Sequence, residues 1–281
     1  MPIARKPLSG AKAGRGLLGT GIRRAYLAGP PFTPVDISGL VAWYRNDTAM
    51  FQNTTGTLPC TTDGQQLSNW SDQSGNDYDA TNPTANQTYQ HFTYGAKTFV
   101  EGRFTGGGYL DATAASQTDF ERTSPFTFWG IIRPTGGFGV LQLWVAKQDV
   151  TNFRGWAGYF STDQLLYFRI SNSLTLYAEV RGNTVLTNTQ PYVVVCRNTG
   201  AGSASGLGIW VNGVAETLTT LSDTLGSNTI QTTSNLFLAS RDTGNFSLAG
   251  GIAECGIHSA SLTTTEIGTL STYLNSICGA F

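Results

Sequence analysis

Charge is scarce in this sequence: Asp, Glu, Lys and Arg make up 12% of its 281 residues, about half the usual share near 25%. That scarcity starves long helices of the Glu and Lys they prefer. Histidine is nearly absent, with His91 and His258 alone, and the four cysteines (Cys60, Cys196, Cys255 and Cys278) are far apart with no Cys-x-x-Cys pair. A zinc site needs four such ligands in close spacing, so free, buried or half-buried thiols are expected instead. No apolar run approaches the roughly 20 residues that span a bilayer. The one apolar stretch near the start, Leu17 to Ile22, is short and ends at Arg23 and Arg24, unlike a secretory signal. No Gly-x-Ser-x-Gly elbow is present, and Glu101, Glu179, Glu216 and Glu254 stand as isolated singles. Retaining sugar hydrolysis needs two carboxylates about 5–5.5 Å apart, so a non-enzymatic protein is expected and no catalytic residue is assigned.

What replaces the charge is Gly, Thr, Ser and Asn around a hydrophobic fraction of 40%. That fraction supplies a sizeable core, and the polar remainder suits many short strands and turns. The charge that exists is unevenly placed. Of the 17 basic residues, Arg5, Lys6, Lys12, Arg15, Arg23 and Arg24 fall within residues 1–35, which contain no acid. The arm is therefore +6, and the remaining 11 bases against 18 acids leave the body at −7. Such a split points to a basic tail with an acidic partner. Six glycines between Gly10 and Gly29, followed by Pro30, Pro31 and Pro34, rule out a continuous helix there. Two domains are expected: an extended arm over residues 1–36 and a β domain over 37–281.

In the body, strand signals come regularly: Leu40–Tyr44, Phe99–Phe104, Phe126–Arg133, Val140–Ala146, Gly155–Phe160, Gln164–Ile170, Leu174–Val180, Gln190–Arg197, Gly208–Val211, Asn235–Ala239 and Ala249–His258. In Phe126–Arg133 the set Phe126, Phe128, Gly130, Ile132 alternates with Thr127, Trp129, Ile131. Both sets are largely apolar, as in a central strand covered on both faces. Asn212-Gly213 predicts a type I′ hairpin turn. Residues 46–97 read as turn-rich. One helix is predicted: Thr263 and Glu266 form a capping box, and Ile267, Leu270, Tyr273 and Leu274 fall on one face.

Four segments in order resemble the laminin-G-like branch of the concanavalin A-like lectin/glucanase superfamily. They are Leu40-Val41-Ala42-Trp43-Tyr44; the stretch Leu67–Ala80, like the family's Trp-x-Asp-x-Ser-Gly-Asn loop; Ile209-Trp210-Val211-Asn212-Gly213; and Gly251–Ile257 followed by Leu262, Thr263, Glu266 and Ile267. The resemblance implies an all-β fold: a two-sheet antiparallel jelly-roll sandwich with a short C-terminal helix, preceded here by the extended arm. It does not fix function, because that fold hosts lectins, hydrolases and structural modules. Laminarinase-like relatives carry a Glu-x-Asp-x-x-Glu strand, which this sequence lacks.

Three candidate sites follow. Asp72, Asn76 and Asp79 place oxygen ligands within one loop, which a structural Ca²⁺ would suit; the competing reading is an Asx-turn loop bonded to its own backbone. Tyr78, Tyr89 and Tyr94 lie in a stretch without clear strand periodicity and are candidates for a surface platform that stacks on sugars, whereas Trp144 and Trp156 are expected in the core. The basic arm, by analogy with phage virion proteins, is expected to dock on a major capsid or tail protein. Nucleic acid and membrane are disfavoured as partners, since no nucleic-acid module follows the arm and it lacks an apolar face. The expected whole is a homo-oligomeric virion component, such as a capsid decoration, head fibre or tail part, that projects a lectin-like domain toward surface glycans. A free carbohydrate-binding module is the alternative, and a glycoside hydrolase a weaker one.

Overall fold

The computed structural model describes residues 31–82, 84, 86–113, 116–244 and 246–281. The six basic residues of the arm, Arg5 to Arg24, lie outside the described residues. A compact unit runs from Phe32 to Phe281, and the Phe32 ring already packs edge-on to Tyr273, with centroids 5.9 Å apart.

Two antiparallel sheets form the sandwich, with strands numbered here in chain order. The first sheet runs β15 (Val214–Ala215), β14 (Leu207–Val211), β13 (Tyr192–Asn198), β8 (Phe126–Pro134), β18 (Gly250–His258), β6 (Lys97–Phe104), β5 (Gln87–Tyr94), and β1 (Leu40–Tyr44) adds onto β18. The second runs β16 (Thr219–Asp223), β12 (Tyr177–Arg181), β11 (Leu166–Ser171), β10 (Gly155–Phe160), β9 (Gln142–Gln148), β17 (Leu236–Leu238), β7 (Leu110–Ala112), β4 (Ala80–Thr81), β3 (Asn69–Trp70), β2 (Met50–Phe51). The helix α1 spans Thr264–Cys278.

The alternation in β8 sorts its side chains as the sequence predicts. Phe126, Phe128 and Ile132 enter the core between the sheets, while Trp129 and Ile131 enter a second apolar layer outside. Between the sheets Phe128 stacks on Trp156 and meets Phe168 edge-on, both with centroids 5.0 Å away. Trp144 and Trp156 are core residues, as expected. Gly158 makes room for them: a Cβ there would sit 2.7 Å from both the Phe128 ring and Trp144 Nε1.

The outer layer is closed by α1. Its capping box forms, with the Thr263 hydroxyl accepting from the Glu266 backbone N–H at 3.2 Å and the Glu266 carboxylate accepting from the Thr263 N–H at 2.7 Å. Ile267, Leu270, Leu274 and Cys278 then bury against Trp43, Trp129, Ile131, Val193 and Val195. Gly279 ends the helix in the left-handed conformation at φ 63°, where glycine carries no Cβ penalty. All four cysteines are free and buried.

Residues 46–97 differ from the turn-rich reading. They hold β5 and three two-residue strands. β5 reads Gln-Thr-Tyr-Gln-His-Phe-Thr-Tyr, with polar residues at both parities. It ends the sheet beside β6, and its other edge is met by the irregular segment 64–67 through a bridge between Gln66 and Thr88; with polar residues at both parities, periodicity alone does not reveal it. β16 escapes notice for the same reason, being an edge strand with mostly exposed side chains.

Candidate functional site

The helix covers the first sheet. Among the described residues no helix covers the outer face of the second, and that face carries a set of polar and aromatic side chains. Strict alternation builds it. In β10 the residues Trp156 and Phe160 point into the core, so Ala157 and Tyr159 point out; in β11 Phe168 and Ile170 point in, so Tyr167 and Arg169 point out. In β12 Ala178 and Val180 are core residues, which leaves Tyr177, Glu179 and Arg181 on the outer face.

Antiparallel register lines these residues into rows across the strands. One row is Tyr159, Tyr167, Arg181; the next is Ala157, Arg169, Glu179. Tyr159 and Tyr167 stack with centroids 4.9 Å apart and planes 15° apart. The Tyr159 hydroxyl donates to Glu179 Oε2 at 2.7 Å. Arg169 lies over the Tyr177 ring at 3.7 Å and places Nη1 3.7 Å from Glu179 Oε2. Burial pushes the Glu179 carboxyl above its ordinary range, against the pull of the Tyr159 hydroxyl and Arg169. It pushes the Tyr159 phenol up as well, with the Glu179 charge adding to the effect. Tyr167 and Arg181 both bond to Asp163, at 2.7 and 3.0 Å.

Beside these rows lies a small pocket of about 50 Å³, walled by Leu143, Phe153, Tyr159, Arg169, Arg241 and Phe246. Gln148 also lines a separate, open cleft of about 700 Å³ bordered by Asp149, Asn152, Thr233, Asn235 and Asp242. The cleft falls in the usual range for small-ligand sites, roughly 300–1,000 Å³.

The residues singled out from the sequence lie elsewhere. Tyr89 is buried, only 3% exposed, with its hydroxyl donating to Asp47 at 3.0 Å. The expected platform of Tyr78, Tyr89 and Tyr94 is corrected on that ground. Tyr89 faces the inner core and Tyr94 the outer apolar layer, because an odd spacing of five in β5 puts them on opposite faces. Tyr78 is half-buried against the inner core, and its backbone carbonyl accepts from the Tyr44 hydroxyl at 2.7 Å.

The loop expected as a Ca²⁺ candidate uses its atoms otherwise. Asp72 accepts from the N–H groups of Trp43 (2.8 Å), Ser74 (2.9 Å) and Tyr78 (3.2 Å) and from the Ser74 hydroxyl (2.6 Å). Asp79 accepts from the Asp72 N–H at 2.9 Å, and Asn76 turns its NH₂ group to the Val41 carbonyl at 2.9 Å. This is the Asx-turn arrangement, and among the described residues no group of three or more His, Cys, Asp or Glu side chains is placed to hold a metal.

The four single glutamates each have their own partners. Glu101 forms a buried ion pair with Arg133, and Glu254 accepts from Trp43 Nε1 and the Tyr273 hydroxyl, both at 2.8 Å. Glu216 holds the backbone of Asn183 and Thr184 at 2.7 Å, and Glu179 belongs to the outer-face rows.

No known protein family and no curated protein matches the sequence. Among solved structures the chain is similar to the binding domain of Paraclostridial Mosquitocidal Protein 1, with 15% identity and TM-score 0.54 over 73% of this chain and 50% of that one. It is similar to Trypanosoma rangeli sialidase in complex with 2,3-difluorosialic acid, with 14% identity and TM-score 0.56 over 86% of this chain and 34% of that one. It is also similar to the botulinum neurotoxin serotype D/C binding domain, with 13% identity and TM-score 0.50 over 84% and 52%. The chain thus spans a third to a half of the proteins it resembles, and the likeness establishes a shared β-sandwich fold.

Proposed function

We propose that the protein is a non-enzymatic, lectin-like module that binds glycans on the outer face of its second sheet. The observation that carries this reading is an open 700 Å³ cleft rimmed by Asp, Asn and Thr side chains, together with rows of tyrosine, arginine and glutamate on the sandwich face that α1 does not cover. Hydroxyl-rich ligands need such groups for orientation and aromatic faces for stacking. Two of the structures that share the fold are titled as binding domains, which supports the reading without identifying a ligand. The separate engagement of the four glutamates supports a binding role over hydrolysis.

A glycan array followed by titration of the best ligand tests this. Thr233 is exposed at the cleft, so Thr233→Trp should fill the cleft, leave the melting temperature unchanged and weaken binding at least tenfold. The same ligand should survive incubation without release of new reducing ends. An empty array, or full binding by the Trp variant, overturns the proposal.

The charge split favours a further element of this reading. We propose that the basic arm tethers the module to an acidic surface of a virion, as an oligomeric capsid or tail component. A chain beginning at Phe32 should fold and bind glycan but fail to enter particles; normal incorporation would exclude the tether.

A further inference from the structure

Four strands end the two sheets, β5 and β15 in the first, β2 and β16 in the second. Three of them offer little free backbone. β5 is met by the segment 64–67. β2 is met by the chain that follows it: Phe51 bridges Pro59, and the Cys60 N–H donates to the Met50 carbonyl at 2.8 Å. β15 is two residues long. The remaining end, β16, is five residues long, and four of the five are exposed. It pairs with β12 on one side. Among the described residues no strand or bridge lies on its other side, which leaves a row of main-chain N–H and C=O groups for a further strand.

Sheet edges are ordinarily protected by lysine, proline or a covering segment. From residue 198 to residue 240 the chain has no Lys, Arg or Pro, and its only acids there are Glu216 and Asp223. Both carboxylates are already engaged: Glu216 by the Asn183 and Thr184 N–H groups, and Asp223 by the Ala204 N–H at 2.9 Å. The edge therefore carries nothing that repels a second copy of itself.

The irregularity in β16 is a bulge. Ser222 lies opposite Glu179 and Thr220 opposite Val180, so Leu221 has no opposite residue on β12. A bulge re-aims a side chain instead of continuing the ladder, and Leu221 is 43% exposed. Val214 on β15 is exposed as well, and so is Val185, beside the turn that Glu216 holds.

We infer that β16 pairs antiparallel with β16 of a second copy about a two-fold axis at Leu221, joining the second sheets of two protomers into one. Such pairing is isologous, so the same residues serve both sides and the assembly closes at two copies. Leu221 then faces its own counterpart, Thr220 faces the partner subunit's Ser222, and Thr219 faces the partner subunit's Asp223. Thr–Ser is a favourable cross-strand pair, and no like charges meet. Ser222 belongs to the outer-face row of Arg169 and Glu179, so the pairing sets the outer faces of both copies side by side. The dimer stands apart from the glycan reading; the bivalence it gives a glycan-binding face rests on that reading. A five-residue ladder is short for an interface, which ordinarily clears about 1,000 Å², so association should depend on concentration in the micromolar range.

Sedimentation velocity of the full chain over a dilution series tests this. The mass should move from one 30.0 kDa chain to twice that and no further. Leu221→Lys and Leu221→Glu each set like charges across the axis, at an exposed position. Each should weaken association at least tenfold and leave the melting temperature unchanged. Mixing the two variants should restore a dimer, because opposite charges then meet at the axis; an interface centred elsewhere gives no such recovery. If either variant proves unstable, hydrogen exchange on the wild type reads the same contact: amides within Thr219–Asp223 should exchange more slowly in concentrated than in dilute protein. A chain that stays monomeric throughout, masses that grow past the dimer, or a dimer indifferent to both substitutions overturns the pairing. Against an immobilised glycan found by the array, Leu221→Lys should bind several-fold more weakly while its affinity for the soluble ligand holds. A dimer that binds no glycan overturns the bivalence and leaves the pairing in place.

Discussion

His258 shows how far a single side chain can bend toward the needs of packing. It is fully buried on β18, and its Nδ1 accepts from Trp129 Nε1 at 3.1 Å, a bond that only a ring unprotonated at Nδ1 can accept. Burial lowers its pKa from the ordinary 6.5 to about 4. The unfolded chain therefore binds the proton more tightly between those values. The contribution to stability is present in full above pH 6.5 and is lost as pH falls from 6.5 to 4. A shift of this size corresponds to about 3 kcal/mol. His258→Gln keeps an acceptor for Trp129 and removes the titration. In denaturant unfolding at several pH values, the stability difference between wild type and variant should shrink by that amount from pH 7 to pH 4. A constant difference across the range would show that His258 does not titrate on unfolding.

Among the elements, β1 and the loop that follows it behave as one unit. One edge of β1 pairs with β18. Its other edge is met by the loop: Gln73 N–H donates to the Trp43 carbonyl at 2.7 Å, and Ser74 Oγ and Asn76 Nδ2 both reach the Val41 carbonyl at 2.9 Å. The Trp-Ser-Asp-Gln-Ser-Gly-Asn stretch is thus a side-chain substitute for a neighbouring strand. Its oxygens look like cation ligands in sequence because backbone capping and metal binding recruit the same residue types. Asp72→Ala removes four accepted hydrogen bonds and should cost on the order of 3 kcal/mol, read as a lower denaturation midpoint. Millimolar Ca²⁺ should leave the wild-type melting temperature where it is; a rise of several degrees would mean the loop binds the ion after all. The turn at Asn212-Gly213 was legible for a simpler reason. Both residues adopt positive φ, 51° and 77°, and that backbone demands this residue pair.

At the scale of the molecule, the sandwich has two unlike outer faces, and that contrast was written in the strands. Trp129, Ile131, Val193 and Val195 on the first sheet are apolar and call for a cover; Tyr159, Arg169 and Glu179 on the second are amphipathic or charged and do not. The strands themselves were legible from period-2 alternation, and the helix from its capping box. The site was not, because alternation separates two faces without telling which one a helix will cover, and the pocket depends on Arg241 and Phe153 brought from distant loops. The cover can be tested by removing it. Four aliphatic side chains, Leu262, Ile267, Leu270 and Leu274, are at most 1% exposed. Burying each is worth roughly 1.5–3 kcal/mol, and together that rivals the 5–15 kcal/mol of net stability typical of a domain. A chain ending at Ser261 should therefore lack a cooperative unfolding transition, and Leu270→Ala alone should cost about 2–5 kcal/mol in tryptophan-monitored denaturation. Should the shortened chain melt cooperatively near the wild-type temperature, the helix would be an accessory rather than the closing layer of the fold, and the outer face of the first sheet would have to be counted as a second open surface.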